Sequence, residues 1–146
     1  MSSQIYILIK TISAPLDFVY DWCTDFREDD PELTGSNYTE KIIEKTKEKA
    51  VFTTETVKDG RIVHATETVY MHPPDYWHLD FIGDECDEIG DYNLTSEGNQ
   101  TKLTMKFEIT YKNPKFVTSK EEWEKSGNEY WDKLIIALEN DYKNNS

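Results

Sequence analysis

Cysteine, histidine and basic residues are all scarce in this sequence, and each scarcity removes a class of function. The two cysteines, Cys23 and Cys86, make neither a disulfide framework nor a zinc motif. His64, His72 and His78 do not fall at metal-ligand spacing, and no Ser/His/Asp arrangement or phosphate-binding glycine loop is present. No cofactor or metal is therefore expected. No run approaches the roughly 18 apolar residues that cross a bilayer. Met1-Ser2-Ser3-Gln4 also lacks the basic and apolar segments of a secretory signal. The expectation is a cytoplasmic protein without membrane insertion, in which the Asn-x-Thr triplets at Asn37, Asn93 and Asn99 carry no sugar. Sixteen Lys and Arg face 29 Asp and Glu, a net charge of −13. Such a surface repels nucleic-acid phosphates and anionic lipid headgroups, so neither is an expected partner, and the acidity itself serves solubility.

Aromatic residues are plentiful: nine Tyr, six Phe and four Trp in 146 residues. They bury a large area and tolerate a polar tip near water, which suits cavity walls as well as cores. The length fits one core. No repeat, linker or low-complexity stretch interrupts it, so one domain over residues 1–146 is expected.

The hydrophobic pattern predicts an opening strand at Ile5 to Ile9, with apolar groups on both faces. A short helix follows, with Pro15 in its first turn and Val19, Trp22, Cys23 and Phe26 on one buried face. Asp29-Asp30-Pro31 breaks it, and a second short turn of helix runs to about Leu33. Strands are then expected at Tyr38–Lys45, Ala50–Val57, Arg61–Met71, Tyr76–Gly83, Glu88–Ser96 and Thr101–Lys112. Asp59-Gly60 and Gly98-Asn99 supply hairpin turns. Ser119 and Glu122 match a capping box, which starts a helix to about Lys143. Trp123, Gly127, Tyr130, Trp131, Leu134, Ile135, Leu138 and Tyr142 share one face of it. Only the sheet is large enough to cover that stripe. The predicted fold is α+β: a curved antiparallel seven-stranded sheet wrapped around a long C-terminal helix, with two short helices after strand 1.

Hairpin register sorts the side chains by face. A two-residue loop at Asp59-Gly60 sets Thr56 against Val63, Thr54 against Ala65 and Phe52 against Glu67, with Val69 and Met71 continuing that face. It is the more apolar face, so Glu67 is expected to point inward. A turn at Gly98-Asn99 sets Leu94 against Leu103, Tyr92 against Met105 and Gly90 against Phe107. Trp77, Leu79 and Phe81 form the inner set of the strand between the hairpins. Large aromatics with a few polar points make the usual small-molecule pocket.

The segment Ile12-Ser13-Ala14-Pro15-Leu16-Asp17-Phe18-Val19-Tyr20 resembles the strand-to-helix opening of START-like helix-grip proteins. These are the birch-pollen-allergen, lipid-transfer and polyketide cyclase/dehydrase domains. Ser96-Glu97-Gly98-Asn99-Gln100-Thr101-Lys102-Leu103-Thr104 resembles their penultimate turn, and the element order matches over essentially the whole chain. The resemblance implies a cavity between sheet and C-terminal helix for lipids, sterols or polyketides. It also implies that a member can be a carrier, a cyclase-type enzyme or an activator of a heat-shock chaperone. It carries no catalytic residue over to a numbered position.

The residues themselves leave three readings open. The first is a carrier of a hydrophobic small molecule, bound among Phe52, Glu67, Val69, Leu79, Phe81, Tyr92, Met105, Phe107, Trp123, Tyr130 and Leu134. The second is a cyclase/dehydratase-type enzyme with Glu67 or Tyr92 as catalytic groups, since a carboxyl facing an apolar cavity has a raised pKa. The third is an interaction protein whose cavity is filled by its own aromatics. His64 is expected to pair with Glu55 on the surface, His78 to face outward, and His72 to stand near a cavity mouth. Asp80, Asp84, Glu85, Asp87, Glu88 and Asp91 lack calcium-loop spacing and read as solvated. Gly127 is expected to leave room for a ligand or for an aromatic from the sheet. Ile136, nearly opposite the stripe, is a candidate subunit contact, though the sequence sets no oligomeric state.

Overall fold

Strand β1 (Ser3–Ile12) leads into helix α1 (Leu16–Cys23) and a 3-10 turn at Asp30–Thr34. Six strands follow: β2 (Tyr38–Lys45), β3 (Lys49–Lys58), β4 (Arg61–His72), β5 (Tyr76–Gly83), β6 (Cys86–Glu97) and β7 (Gln100–Tyr111). A 3-10 turn at Pro114–Phe116 then leads to the long helix α2 (Lys120–Asn144). The computed structural model describes residues 3–35 and 37–145, apart from the side chains of residues 30 and 34. Met1 and Ser2 of the N-terminal stretch lie outside them. The strands form one antiparallel sheet in the order β1-β7-β6-β5-β4-β3-β2. Strands β2 to β7 are thus a meander, and β1 joins its far edge, pairing from Ser3 with Thr110 to Ile12 with Thr101. This is the α+β helix-grip architecture that the element order predicts.

Turn chemistry fixes the register. Asp59 (φ 51°) and Gly60 (φ 77°) both take positive φ, as a type I′ turn requires, and Thr56, Thr54 and Phe52 oppose Val63, Ala65 and Glu67. Gly98 (φ 64°) supplies positive φ at the first central position of the second hairpin, which aligns Tyr92 with Met105 and Gly90 with Phe107. Pro15 sits one position earlier than expected. Its ψ of 157° is extended, so it caps α1 instead of entering the first turn, and its carbonyl accepts from the Val19 N–H at 3.0 Å. Ser119 caps α2 by accepting from the Glu122 N–H at 3.2 Å, which is one half of the expected capping box.

One end of the molecule is solidly packed. Ile12, Val19, Leu103, Met105 and Leu138 are all less than 2% exposed. Helix α2 is pinned there by three polar contacts. Lys10 Nζ donates to Asp132 at 2.8 Å, the Ser13 N–H to Glu139 Oε2 at 2.7 Å, and Trp22 Nε1 to Asp141 Oδ2 at 2.7 Å. At the opposite end of α2, the buried Tyr6 stacks on Trp123 with centroids 4.3 Å apart. The sheet side chain nearest Gly127 is Leu8 and not an aromatic. A Cβ there would come within 2.9 Å of Leu8 Cδ1, so its space is shared between Leu8 and the interior.

The convex face exposes Ile5, Ile7 and Ile9 together on β1 and single apolar residues on other strands, among them Ile62, Ile82 and Ile89, and Ile136 stands exposed on α2. His64 lies 3.5 Å from both Glu55 and Asp84, and His78 bridges Asp80 (2.9 Å) and Asp91 (2.8 Å). Among the described residues, no helix is long and apolar enough to cross a membrane.

Candidate functional site: an acidic aromatic cavity

The other end of the molecule holds a cavity of about 530 Å³ between sheet and helix. The sheet contributes Tyr38, Glu40, Phe52, Glu67, Val69, Trp77, Leu79, Phe81, Glu88, Tyr92 and Phe107, with Leu8 from β1. Helix α2 contributes Trp123, Ser126, Gly127, Tyr130, Trp131 and Leu134. Trp22 and Cys23 of α1, with Asp25, Phe26, Arg27 and Leu33 beyond it, close the third side. The aromatics line this space and do not fill it.

Strand pairing lays the polar groups out in order. Phe52 pairs with Glu67, Glu67 with Phe81, and Phe81 with Glu88. Aromatic rings and carboxyls therefore alternate across four neighbouring strands. With strands about 4.8 Å apart, Glu67 and Glu88 stand about 10 Å from one another on either side of Phe81. Glu40 pairs with Thr54 in an adjacent row that continues through Ala65 to Gly83. The missing side chain at Gly83 leaves room for the Phe81 ring.

Burial governs the titration of these groups. Desolvation, helped by the nearby charges of Glu40 and Glu88, pushes the Glu67 carboxyl up to about 8. Desolvation raises Glu88 to about 7. Both stay partly accessible because they face the cavity and not packed atoms. Among the described residues, neither carboxyl has a hydrogen bond or ion pair to the protein. Tyr92 stacks on Trp77 at 4.9 Å and meets Phe107 edge-on at 5.5 Å. Burial first, then the charges of Glu88 and Glu67, holds its phenol protonated. Burial also raises the Cys23 thiol to about 12, which removes it as a nucleophile.

The structure brings together every residue expected at the site except Met105. That side chain is wholly buried between Leu8 and Tyr92 in the row across β1, β7 and β6, and those neighbours face the space in its place. Tyr130 stands at the rim, 36% exposed. Glu88 is a second correction. It was expected in a solvated acidic loop, but β6 starts at Cys86, and Glu88 shares the inward face of Gly90, Tyr92 and Leu94. Asp87 does face out and pairs with Lys112, whereas the Glu85 carboxylate is largely covered and held by Lys58 and Arg61. His72 is a third. It is exposed, stacks on Tyr76 at 5.5 Å and is not part of the cavity wall. The sequence reading missed Tyr38 and Glu40 on β2, although carrying the inward alternation one strand beyond Phe52 and Thr54 finds both. Among the described residues, no group of three His, Cys, Asp or Glu is placed to hold a metal ion.

No protein-family model matches the chain, and no curated protein matches it in sequence. Solved structures do match it in shape. The Zhui aromatase/cyclase from Streptomyces sp. R1128 superposes with a TM-score of 0.71 at 11% identity, over 97% of this chain and 94% of that one. A START superfamily protein from Mycobacterium smegmatis gives 0.70 at 16% identity, over 97% and 99%. The ginseng major latex-like protein 151 from Panax ginseng gives 0.70 at 14% identity, over 93% and 97%. The fold is the START-like helix-grip fold. At these identities the likeness extends to the fold alone.

Proposed function

We propose that this protein binds a hydrophobic small molecule, of lipid, sterol or polyketide type, in the cavity between sheet and α2. The observation that carries the reading is the cavity itself. Its volume falls within the range of about 300–1,000 Å³ typical of ligand pockets, and its walls are aromatic and aliphatic with a few polar points. Native mass spectrometry of freshly purified protein, set against the denatured mass, tests it. A bound species of a few hundred daltons is the expected result. A bare mass, unchanged after incubation with mixed lipids and aromatic polyketides, would sink the reading. Replacing Phe107 or Tyr130 with smaller residues should weaken binding of whatever species is found.

The positions of Glu67 and Tyr92 favour a second reading, a cyclase/dehydratase-type enzyme. With a pKa of about 8, Glu67 is poised near neutrality to give or take a proton. A dehydration would use its carboxylate to remove a proton from the carbon beside a carbonyl. Its acid form, or that of Glu88, would protonate the departing hydroxyl as water. Turnover that Glu67→Gln lowers by well over tenfold with binding intact would establish this reading. Binding without turnover leaves the carrier.

A further inference from the structure

The carboxyl groups inside the cavity call for an explanation that a purely apolar ligand does not supply. Glu67 and Glu88 sit deep in an aromatic chamber, and the described protein groups offer neither a hydrogen bond nor an ion pair. Leaving such groups unsatisfied is costly, and sites that bear the cost use it on a ligand. Their arrangement adds a second observation: Phe52, Glu67, Phe81 and Glu88 alternate ring and carboxyl along a single row of paired residues. Ring faces carry negative electrostatic potential, so rings and carboxylates attract the same kind of group.

We propose that the cavity selects an organic cation, an amphipathic amine or quaternary ammonium whose charged head lies over Phe81 between Glu67 and Glu88. This rests on the reading of the cavity as a small-molecule site and specifies the ligand's chemical class. The apolar body of the ligand extends toward Trp77 and Tyr92. Charge around the site has one dominant sign. Asp25 and Glu40 face the space with Glu67 and Glu88, and among the described residues Arg27 is the one basic side chain in the wall. Its guanidinium lies 3.9 Å from Asp25 and 3.7 Å from Asp29. A net charge of −13 draws cations toward the mouth and repels anions.

Proton linkage gives the proposal its own signature. In the empty cavity Glu67 and Glu88 hold protons near neutrality. The other titratable groups facing them are Glu40, Tyr38, Tyr92, Tyr130, Cys23, Asp25 and Arg27. A bound ammonium favours the ionised carboxylates, so it displaces protons, on the order of one per cation near pH 7. Affinity for a permanently charged head therefore rises from about pH 5.5 to about pH 8, the direction in which the carboxyls ionise.

Calorimetry of the full chain with three matched probes tests this: 1-naphthylmethylammonium, 1-naphthalenemethanol and 1-naphthoate. The expected result at about pH 7.5 is ammonium binding at least about tenfold tighter than the alcohol, with naphthoate weakest. Proton release should appear as a heat that varies with the buffer. In the Glu67→Gln/Glu88→Gln double variant the alcohol should still bind, and the ammonium should lose its advantage. Alcohol or naphthoate binding as tightly as the ammonium would overturn the cation proposal and leave the cavity reading intact. An ammonium preference that survives in a folded double variant would overturn the assignment to these carboxyls. If the double variant does not fold, the three-probe comparison and the proton release in the native protein decide. Binding of none of the probes would count against both readings.

Discussion

Tyr38 on β2 and Tyr130 on α2 meet across the gap between sheet edge and helix, their hydroxyl oxygens 3.5 Å apart. Both line the cavity, and Tyr130 is the more exposed of the two. Burial, with the neighbouring phenol, raises the Tyr38 pKa, so that hydroxyl stays protonated across the physiological range. This contact joins β2 directly to α2.

Removing one hydroxyl should therefore loosen the mouth without altering the chamber. Tyr38→Phe is expected to speed both entry and escape of a naphthyl probe by up to about fivefold, the rate equivalent of about 1 kcal/mol. The equilibrium affinity should change little. Stopped-flow tryptophan fluorescence separates the rates, and unchanged rates would show that ligands pass elsewhere.

Glu67 should make the protein less stable as the pH rises. Its folded pKa of about 8 lies above the ordinary 4.5, so between those values the native state holds a proton that the unfolded chain releases. Stability then falls with rising pH across that window. Glu67→Gln removes the effect. It should stabilise the empty protein by on the order of 2 kcal/mol at neutral pH and by almost nothing at the acidic end of the window. Urea unfolding at several pH values measures it. An equal effect at every pH would mean that Glu67 is ionised in the native cavity.

His78 should do the reverse. Burial opposes its charge, but hydrogen bonds with Asp91 and Asp80 outweigh that and raise its pKa. The contribution to stability is full below the unfolded value of 6.5 and fades as the pH rises through the folded one. His78→Asn should cost more in mildly acidic buffer than in alkaline buffer, as thermal melts can show. A pH-independent loss would point to packing on the convex face alone.

Gly127→Ala sets two effects against each other. Alanine favours the helix by about 1 kcal/mol, whereas its Cβ would lie 2.9 Å from Leu8 Cδ1. That methyl is the mobile end of a side chain facing the cavity, so it can move into the open space. The melting temperature should stay within about 3 °C of the parent, and affinity for the naphthyl probe should fall. Unchanged affinity would place the ligand away from this wall.

These positions also show what the sequence could reveal. Period-two alternation with two dependable turns placed Glu67 opposite Phe52 before any coordinates, because glycine at φ above zero leaves a hairpin little choice of register. The same logic extends to Glu88, which shares the parity of Gly90 and Tyr92. It was obscured by a dense run of acidic neighbours that suggests a loop. Met105 shows the limit of the method. Parity tells which face a side chain occupies, not where along that face solid packing gives way to open space. That boundary depends on how α2 lies across the sheet, a long-range property that no local pattern encodes.

Helix α2 runs across that boundary. From Trp123 to Leu134 it borders the cavity, and at Ile135 and Leu138 it enters the close-packed end that holds Ile12, Val19 and Leu103. Recognition and foldedness are thus carried by different turns of a single helix. Mutations along the cavity-facing turns can rewrite what the chamber accepts while the far end keeps the chain folded, which gives this scaffold unusual freedom to acquire new specificities by gradual change.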